Sequence, residues 1–179
     1  MRFSLNLFRP DPVKARAAQL YQAVLTEARK PRLYADLGAP DTVDGRFDMI
    51  ILHAALVMRR LRDEGESGQK LAQALFGRLF DDMDAALREM GIGDMSVGKK
   101  IKAMAEAFYG RAAAYDAALK SADSGQMKAV LWRNLFDDAP DGEPAAEALA
   151  RHAFEADRQI QAMPAEELLE GRLTALAAA

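Results

Sequence analysis

The sequence predicts an all-α protein: an antiparallel helical bundle of about four long helices plus two or three shorter C-terminal helices. Three observations carry that prediction. Apolar residues recur at i, i+3, i+4 and i+7 through most of the 179 residues, and no alternating pattern of useful length interrupts them. Prolines and capping residues fall mainly between the periodic stretches. The stretch 43–61 is apolar almost all round, as a helix in the middle of a bundle must be.

Taken in order, Asp11 followed by Pro12 opens the first helix, because proline at the first helical position lacks an N–H that would be unsatisfied there anyway. Val13, Ala17, Leu20, Tyr21, Val24 and Leu25 mark its buried face through about Ala28. Residues 30–40 hold two prolines and a glycine and read as a crossing loop, with Leu33, Tyr34 and Leu37 tucked back onto the core. Thr42 or Asp44 caps the central helix, which ends near 63–65. One face carries Val43, Phe47, Ile50, Ile51, Ala54, Val57, Met58 and Leu61, and the other Met49, Leu52, Ala55 and Leu56. Its apolar run is broken by His53 and bounded by Asp48, Arg59 and Arg60, well short of the roughly 20 residues a membrane span needs.

Ser67 opens the third long helix, with Leu71, Leu75, Phe76, Leu79, Phe80, Met83, Leu87 and Met90 inward and Gly91 as its stop. Asp94 and Ser96 serve as caps for the fourth, whose inward positions are Val97, Ile101, Met104, Ala105, Phe108, Ala112, Tyr115 and Leu119. Short links between long helices amount to an antiparallel bundle. After Ser121, helices are expected over 126–136, with the only tryptophan, Trp132, then over 144–162 and 164–178, the last rich in alanine. The acidic segment 137–144 reads as a loop. The expected organisation is an N-terminal arm at 1–10, a helical core at 11–121, and C-terminal helices at 122–179 packed on or extending that core.

Composition narrows the chemistry. A chain of this length buries roughly 70% of its unfolded surface without a staple. With no cysteine, disulfides, thiolate zinc sites, iron–sulfur clusters and a cysteine nucleophile are excluded. A net charge of -3 with mixed signs gives no bulk attraction to nucleic acid. The opening residues lack the sustained apolar core of a secretory signal, so the expectation is a cytoplasmic protein. Phe3, Leu5, Leu7 and Phe8 between Arg2 and Arg9 form a short arm that packs on the bundle, frays, or dips marginally into a membrane interface. A di-iron bundle site would need two Glu-x-x-His pairs, and neither His53 nor His152 has a glutamate three residues before it. No metal or cofactor is expected. Phosphate loops and dinucleotide fingerprints are missing, and neither histidine sits beside a serine or threonine in sequence.

Several polar groups still need a reason. Asp81, Asp84 and Arg88 lie on the side away from Leu79, Met83 and Leu87, and Arg78 pairs with Asp82 at i,i+4. A solvated charged face is the plain account, yet aspartate is a mediocre helix former and three of them crowd 81–84. His53 reads as a core histidine hydrogen-bonded to a carbonyl or carboxylate, or else as a ligand or pH switch. Lys99, Lys100 and Lys102 crowd a helix start, where the macrodipole disfavours cations; an anionic contact, or neutralisation by Asp94 and Glu89, would account for them. Gly110, between Tyr109 and Arg111, costs about 1 kcal/mol of helix stability, and close approach of another helix is its simplest explanation. Gly45 is needed either for backbone geometry or because something presses near.

These stretches carry a resemblance. Pro40-Asp41-Thr42, Gly45-Arg46-Phe47-Asp48-Met49 and Leu52-His53 are followed by Leu75-Phe76 and Asp82-Met83-Asp84. Leu87-Arg88-Glu89-Met90-Gly91 with Gly93-Asp94 comes next, then Lys99 to Lys102, then Phe108-Tyr109-Gly110-Arg111 with Tyr115. In that order, over roughly Tyr21 to Leu119, the series resembles the ubiquinol-cytochrome c chaperone family of alphaproteobacteria and mitochondria. The resemblance implies a non-enzymatic helical chaperone that binds newly made cytochrome b and promotes assembly of ubiquinol-cytochrome c reductase. It implies as possible partners a small helper subunit, the ribosome and the inner face of the inner membrane.

The residues then suggest a mechanism in which a polar surface at one side of the bundle grips a hydrophobic client, with methionines as adaptable contacts. The candidate client-binding residues are Asp41, Arg46, Asp48, His53, Asp81, Asp84, Arg88, Glu89, Asp94, Lys99, Lys102, Tyr109 and Arg111. Two other readings stand beside it. A carrier of lipid, quinone or haem predicts a slot lined by Phe47, Phe80, Met83 and Phe108 with His53 or Tyr109 at its mouth. An enzyme acting on a small metabolite would need acids and bases converging in a cleft.

Overall fold

The computed structural model describes residues 11–177, so the arm expected at 1–10 lies outside the described residues. Among them the chain is helical throughout, with no strand. Helix α1 (Pro12–Ala28) is followed by α2 (Pro31–Ala35), α3 (Val43–Arg62), α4 (Gly65–Glu89), α5 (Asp94–Ser121), α6 (Ser124–Phe136), α7 (Glu143–Ala162) and α8 (Ala165–Leu169), with a 3-10 turn at Pro140–Gly142. The four long helices expected from the apolar period are α1, α3, α4 and α5.

Helix α3 is the axis of the bundle and packs against α1, α4, α5, α6 and α7. Every residue from Asp48 to Val57 is buried, which is why that stretch is apolar all round. Arg59 marks where it approaches the surface: its guanidinium reaches Asp116 on α5 and Asp157 on α7, both at 3.0 Å, tying three helices together. No helix among the described residues is long and apolar enough to cross a membrane.

Two helix starts, those of α1 and α3, follow the caps expected from the sequence. The Asp11 carboxylate accepts from the Val13 N–H, and Thr42, rather than Asp44, caps α3 through the Gly45 N–H at 3.0 Å. Gly45 is required by crowding: a Cβ there would stand 2.2 Å from the Pro40 carbonyl oxygen. Gly45→Ala will therefore destabilise the protein by about 1–3 kcal/mol as the turn is forced off α3, measured by urea unfolding.

Other expectations are corrected. Residues 31–35 form the short α2 inside the expected loop, with Leu33 buried and the Tyr34 hydroxyl donating to the Ala28 carbonyl. α4 begins at Gly65 and not at Ser67. Met90, expected inside, is 60% exposed because α4 has ended there and Gly91 turns the chain at φ +81. Asp94 and Ser96 do not cap α5; Gly93 precedes it without a side-chain bond, and Asp94 is already helical. α6 starts earlier than expected, at Ser124, capped by Asp123. The expected loop at 137–144 contains the 3-10 turn and the first residues of α7.

The largest correction is at the C-terminus, where a helix over 164–178 was expected and α8 stops at Leu169. Gly171, at φ +82, is pressed against the Arg16 backbone, and residues 172–177 are not helical. Leu176 is buried, its carbonyl accepts from Lys30 Nζ at 2.7 Å, and the Ala177 N–H donates to Gln159 Oε1. Those tertiary bonds override the helix preference of an alanine-rich tail.

Candidate functional site

The expected polar residues separate into buried and exposed groups. The buried group holds α3 to its neighbours. Asp48, 5% exposed, is paired with Arg111 of α5. Burial pushes its carboxyl up to about 6; the Arg111 charge pulls the other way, and the nearby charge of Asp44 adds to the rise. Tyr115, one helical turn beyond Arg111, is also buried, and its hydroxyl is pushed up to about 12, first by burial and then by the Asp48 charge.

His53 is 1% exposed and faces His152 of α7, with the two Nε2 atoms 3.2 Å apart. His53 Nδ1 lies 2.8 Å from the Met49 carbonyl oxygen, which can only accept, so Nδ1 carries the proton and Nε2 is bare. His152 Nε2 must then donate. Burial lowers both pKa values, that of His152 to about 3 with further help from the neighbouring imidazole. This settles the alternative left open by the sequence: His53 is a core histidine. Neither His53 nor Asp48 offers a surface to a client, which corrects their expected role; burial and internal partners are the reason.

The exposed group lies at helix ends. Asp41 and Arg46 form an ion pair at 2.5 Å beside the start of α3, and the Arg46 guanidinium stands over the Tyr34 ring at 5.7 Å. At the far end of α4, Arg88 joins Asp84 on its own helix to Asp94 on α5. Asp82 accepts from Tyr21 on α1 and pairs with Arg78, so one of the three crowded aspartates is structural. Asp81 and Glu89 are exposed, and Lys102 pairs with Glu106 at 3.9 Å. Among the described residues Lys99 and Lys100 have no ion pair, so the neutralisation by Asp94 and Glu89 does not occur.

Tyr109 is 60% exposed and its ring stacks on Phe76 at 5.1 Å. Behind it Phe76, Phe80 and Phe108 pack together, Phe80 and Phe108 edge to face at 6.1 Å. Phe80 and Phe108 pack on each other and on Phe76 rather than facing each other across a slot, and His53 is buried against α7 rather than at its expected mouth. Among the described residues Gly110 has nothing within 4 Å of where a Cβ would be, so close approach of a helix in that range does not explain it.

Arg59, Asp116, Asp157 and His152 are polar residues whose contacts the sequence does not disclose. Their partners lie 57 to 99 residues apart, and no local spacing announces them.

Residues 35–175 match the profile of a family described as Ubiquinol-cytochrome C chaperone. The chain belongs to that family. Relatives named ubiquinol-cytochrome c reductase complex assembly factor 1 are 24% identical over 157 residues in Xenopus laevis, Mus musculus and Homo sapiens. The alignments cover 88% of this chain but 78%, 53% and 52% of those proteins, so the chain spans about half the length of the mouse and human relatives. The crystal structure of the Cbp3 homolog from Brucella abortus superposes with a TM-score of 0.83 at 34% identity, covering 93% of this chain and 91% of that one. The family match runs through α6, α7 and α8, beyond the stretch on which the sequence resemblance rested.

Proposed function

We propose that this protein is a non-enzymatic assembly chaperone that binds newly made cytochrome b and promotes its incorporation into ubiquinol-cytochrome c reductase. The observation that supports it most is the family match over 35–175 together with relatives named for assembly of that complex. The bundle supplies what such a protein needs: a rigid frame with charged groups displayed at its helix ends. Asp41 with Arg46, Asp81, Asp84 with Arg88 and Asp94, Glu89, Lys99, Lys102 and Tyr109 are the accessible members of the expected set. Exposed pairs of this kind are worth little to the fold, so their charges are free to be re-paired with a client's loops. The working location in this reading is the cytoplasmic face of the inner membrane, where a membrane-embedded client is made.

The test is capture of tagged cytochrome b from solubilised membranes by the full chain. Arg46→Ala and Arg88→Ala, each shown folded by circular dichroism, will lower capture by about tenfold, the effect of removing an interface hot spot. Undiminished capture by both variants removes the charged ends from the mechanism. Failure of the unaltered protein to capture the client removes the chaperone reading itself.

A further inference from the structure

Between α3, α4 and α5 runs a groove of about 340 Å³. Ala55 and Met58 lie at its floor, Ala72 and Phe76 on one wall, and Tyr109 and Ala112 on the other. That volume takes a pair of large side chains and not the full girth of a helix, about 10 Å across. An extended peptide would bring a row of unpaired N–H and C=O groups into it, and the walls are helix interiors whose own backbone bonds are already made. The polar side chains there, Gln69, Gln73, Tyr109 and the two arginines, are too few and too scattered to pair such a row. A helix brings its backbone already satisfied and presents side chains at i and i+4.

The charge is one-sided. The lining contains two guanidiniums, Arg59 and Arg62, and no carboxylate. Both, and Lys120 as well, draw on the single carboxylate of Asp116, and among the described residues only Arg59 has a second carboxylate partner, Asp157. Arg62 is 55% exposed and turned to solvent at that end. A helix C-terminus, with its partial negative charge and any acidic residue in it, complements this end.

We infer that the groove seats two apolar side chains, one helical turn apart, of a helix in the client, with the acidic C-terminal end of that helix at Arg59 and Arg62. This rests on the chaperone reading above. The probe is a fluorescein-labelled 18-residue helical peptide with leucines at two positions i and i+4 and an Asp-Asp C-terminus, followed by anisotropy with the full chain. Ala113→Trp, which fills the groove from an exposed position, will weaken binding about tenfold or more, as will a Lys-Lys C-terminus on the peptide. Met95→Ser, at an exposed position about 27 Å along α5 from Ala113, will leave binding unchanged.

Equal binding by the native chain and Ala113→Trp overturns the groove, and equal binding of the two peptides overturns the polarity. Capture of cytochrome b separates this proposal from the one it rests on. If Ala113→Trp still captures the client, the groove falls and the chaperone reading stands; if the unaltered protein captures none, the chaperone reading falls.

Discussion

Arg111→Ala will destabilise the protein by about 3–5 kcal/mol at neutral pH, because it strands the Asp48 carboxylate inside the bundle. The field there is already unfavourable, since the charges of Asp44 and Asp137 both push the Asp48 pKa upward and Arg111 is the cation that opposes them. Two companions separate this mechanism from simple loss of side-chain packing. Lowering the pH to about 5 will restore part of the lost stability of Arg111→Ala by protonating Asp48. Asp48→Leu combined with Arg111→Met will lie close to the unaltered protein, since an apolar pair of similar volume commonly replaces a buried ion pair without loss. Denaturant unfolding of the three variants measures all of this. A loss below about 1 kcal/mol for Arg111→Ala, or no recovery at low pH, defeats the account.

The same pair shows what the sequence could convey. Asp48 and Arg111 sit in two of the stretches that carry the family resemblance, and both were expected to face a client. In the fold they meet each other, so their presence in those motifs is explained by joining α3 to α5. Nothing in the sequence could show this, because the pairing depends on how α3 and α5 cross, 63 residues apart. His53 and His152 are hidden in the same way, at a separation of 99 residues.

By contrast, Arg78 with Asp82 and Arg88 with Asp84 were legible, since i,i+4 spacing on a helix fixes proximity by itself. The four long helices were legible for a related reason. Their periodic apolar faces leave few alternatives, and α3 declared its central place by having no polar side. The C-terminal tail was not legible, because alanine content speaks for helix while the bonds that hold 176–177 come from Lys30 and from Gln159 of α7.

Acid will weaken the fold through the histidine pair, with a sign that can be worked out. Both imidazoles have folded pKa values below their ordinary one, so each contributes stability that is present above about 6.5 and is lost as the pH falls and the unfolded chain takes up the proton first. For His152 the loss runs from about 6.5 down to about 3, at about 1.4 kcal/mol per pH unit. Asp48 acts in the opposite sense: its folded pKa is raised to about 6, so its contribution is complete below about 3.8 and is lost as the pH rises through 6. Between pH 6 and 4 the His152 and Asp48 contributions therefore nearly cancel, and the lowered pKa of His53 tips the balance of these three groups toward instability as the pH falls.

Replacing His152 by phenylalanine removes one of the two falling contributions, and His53 keeps its bond to the Met49 carbonyl. The variant will be less stable at pH 7, where the His53 Nε2 has lost its donor, by about 1 kcal/mol. Its stability will nevertheless fall less steeply with acid than that of the unaltered chain, so the two curves converge as the pH drops. Urea midpoints between pH 7 and 4.5 read the slopes, and imidazole proton shifts in the same range report whether the two rings stay neutral in the folded protein. Parallel curves, or a ring that titrates near 6.5 while the protein remains folded, would show that the pair is not the buried neutral hydrogen bond its geometry describes.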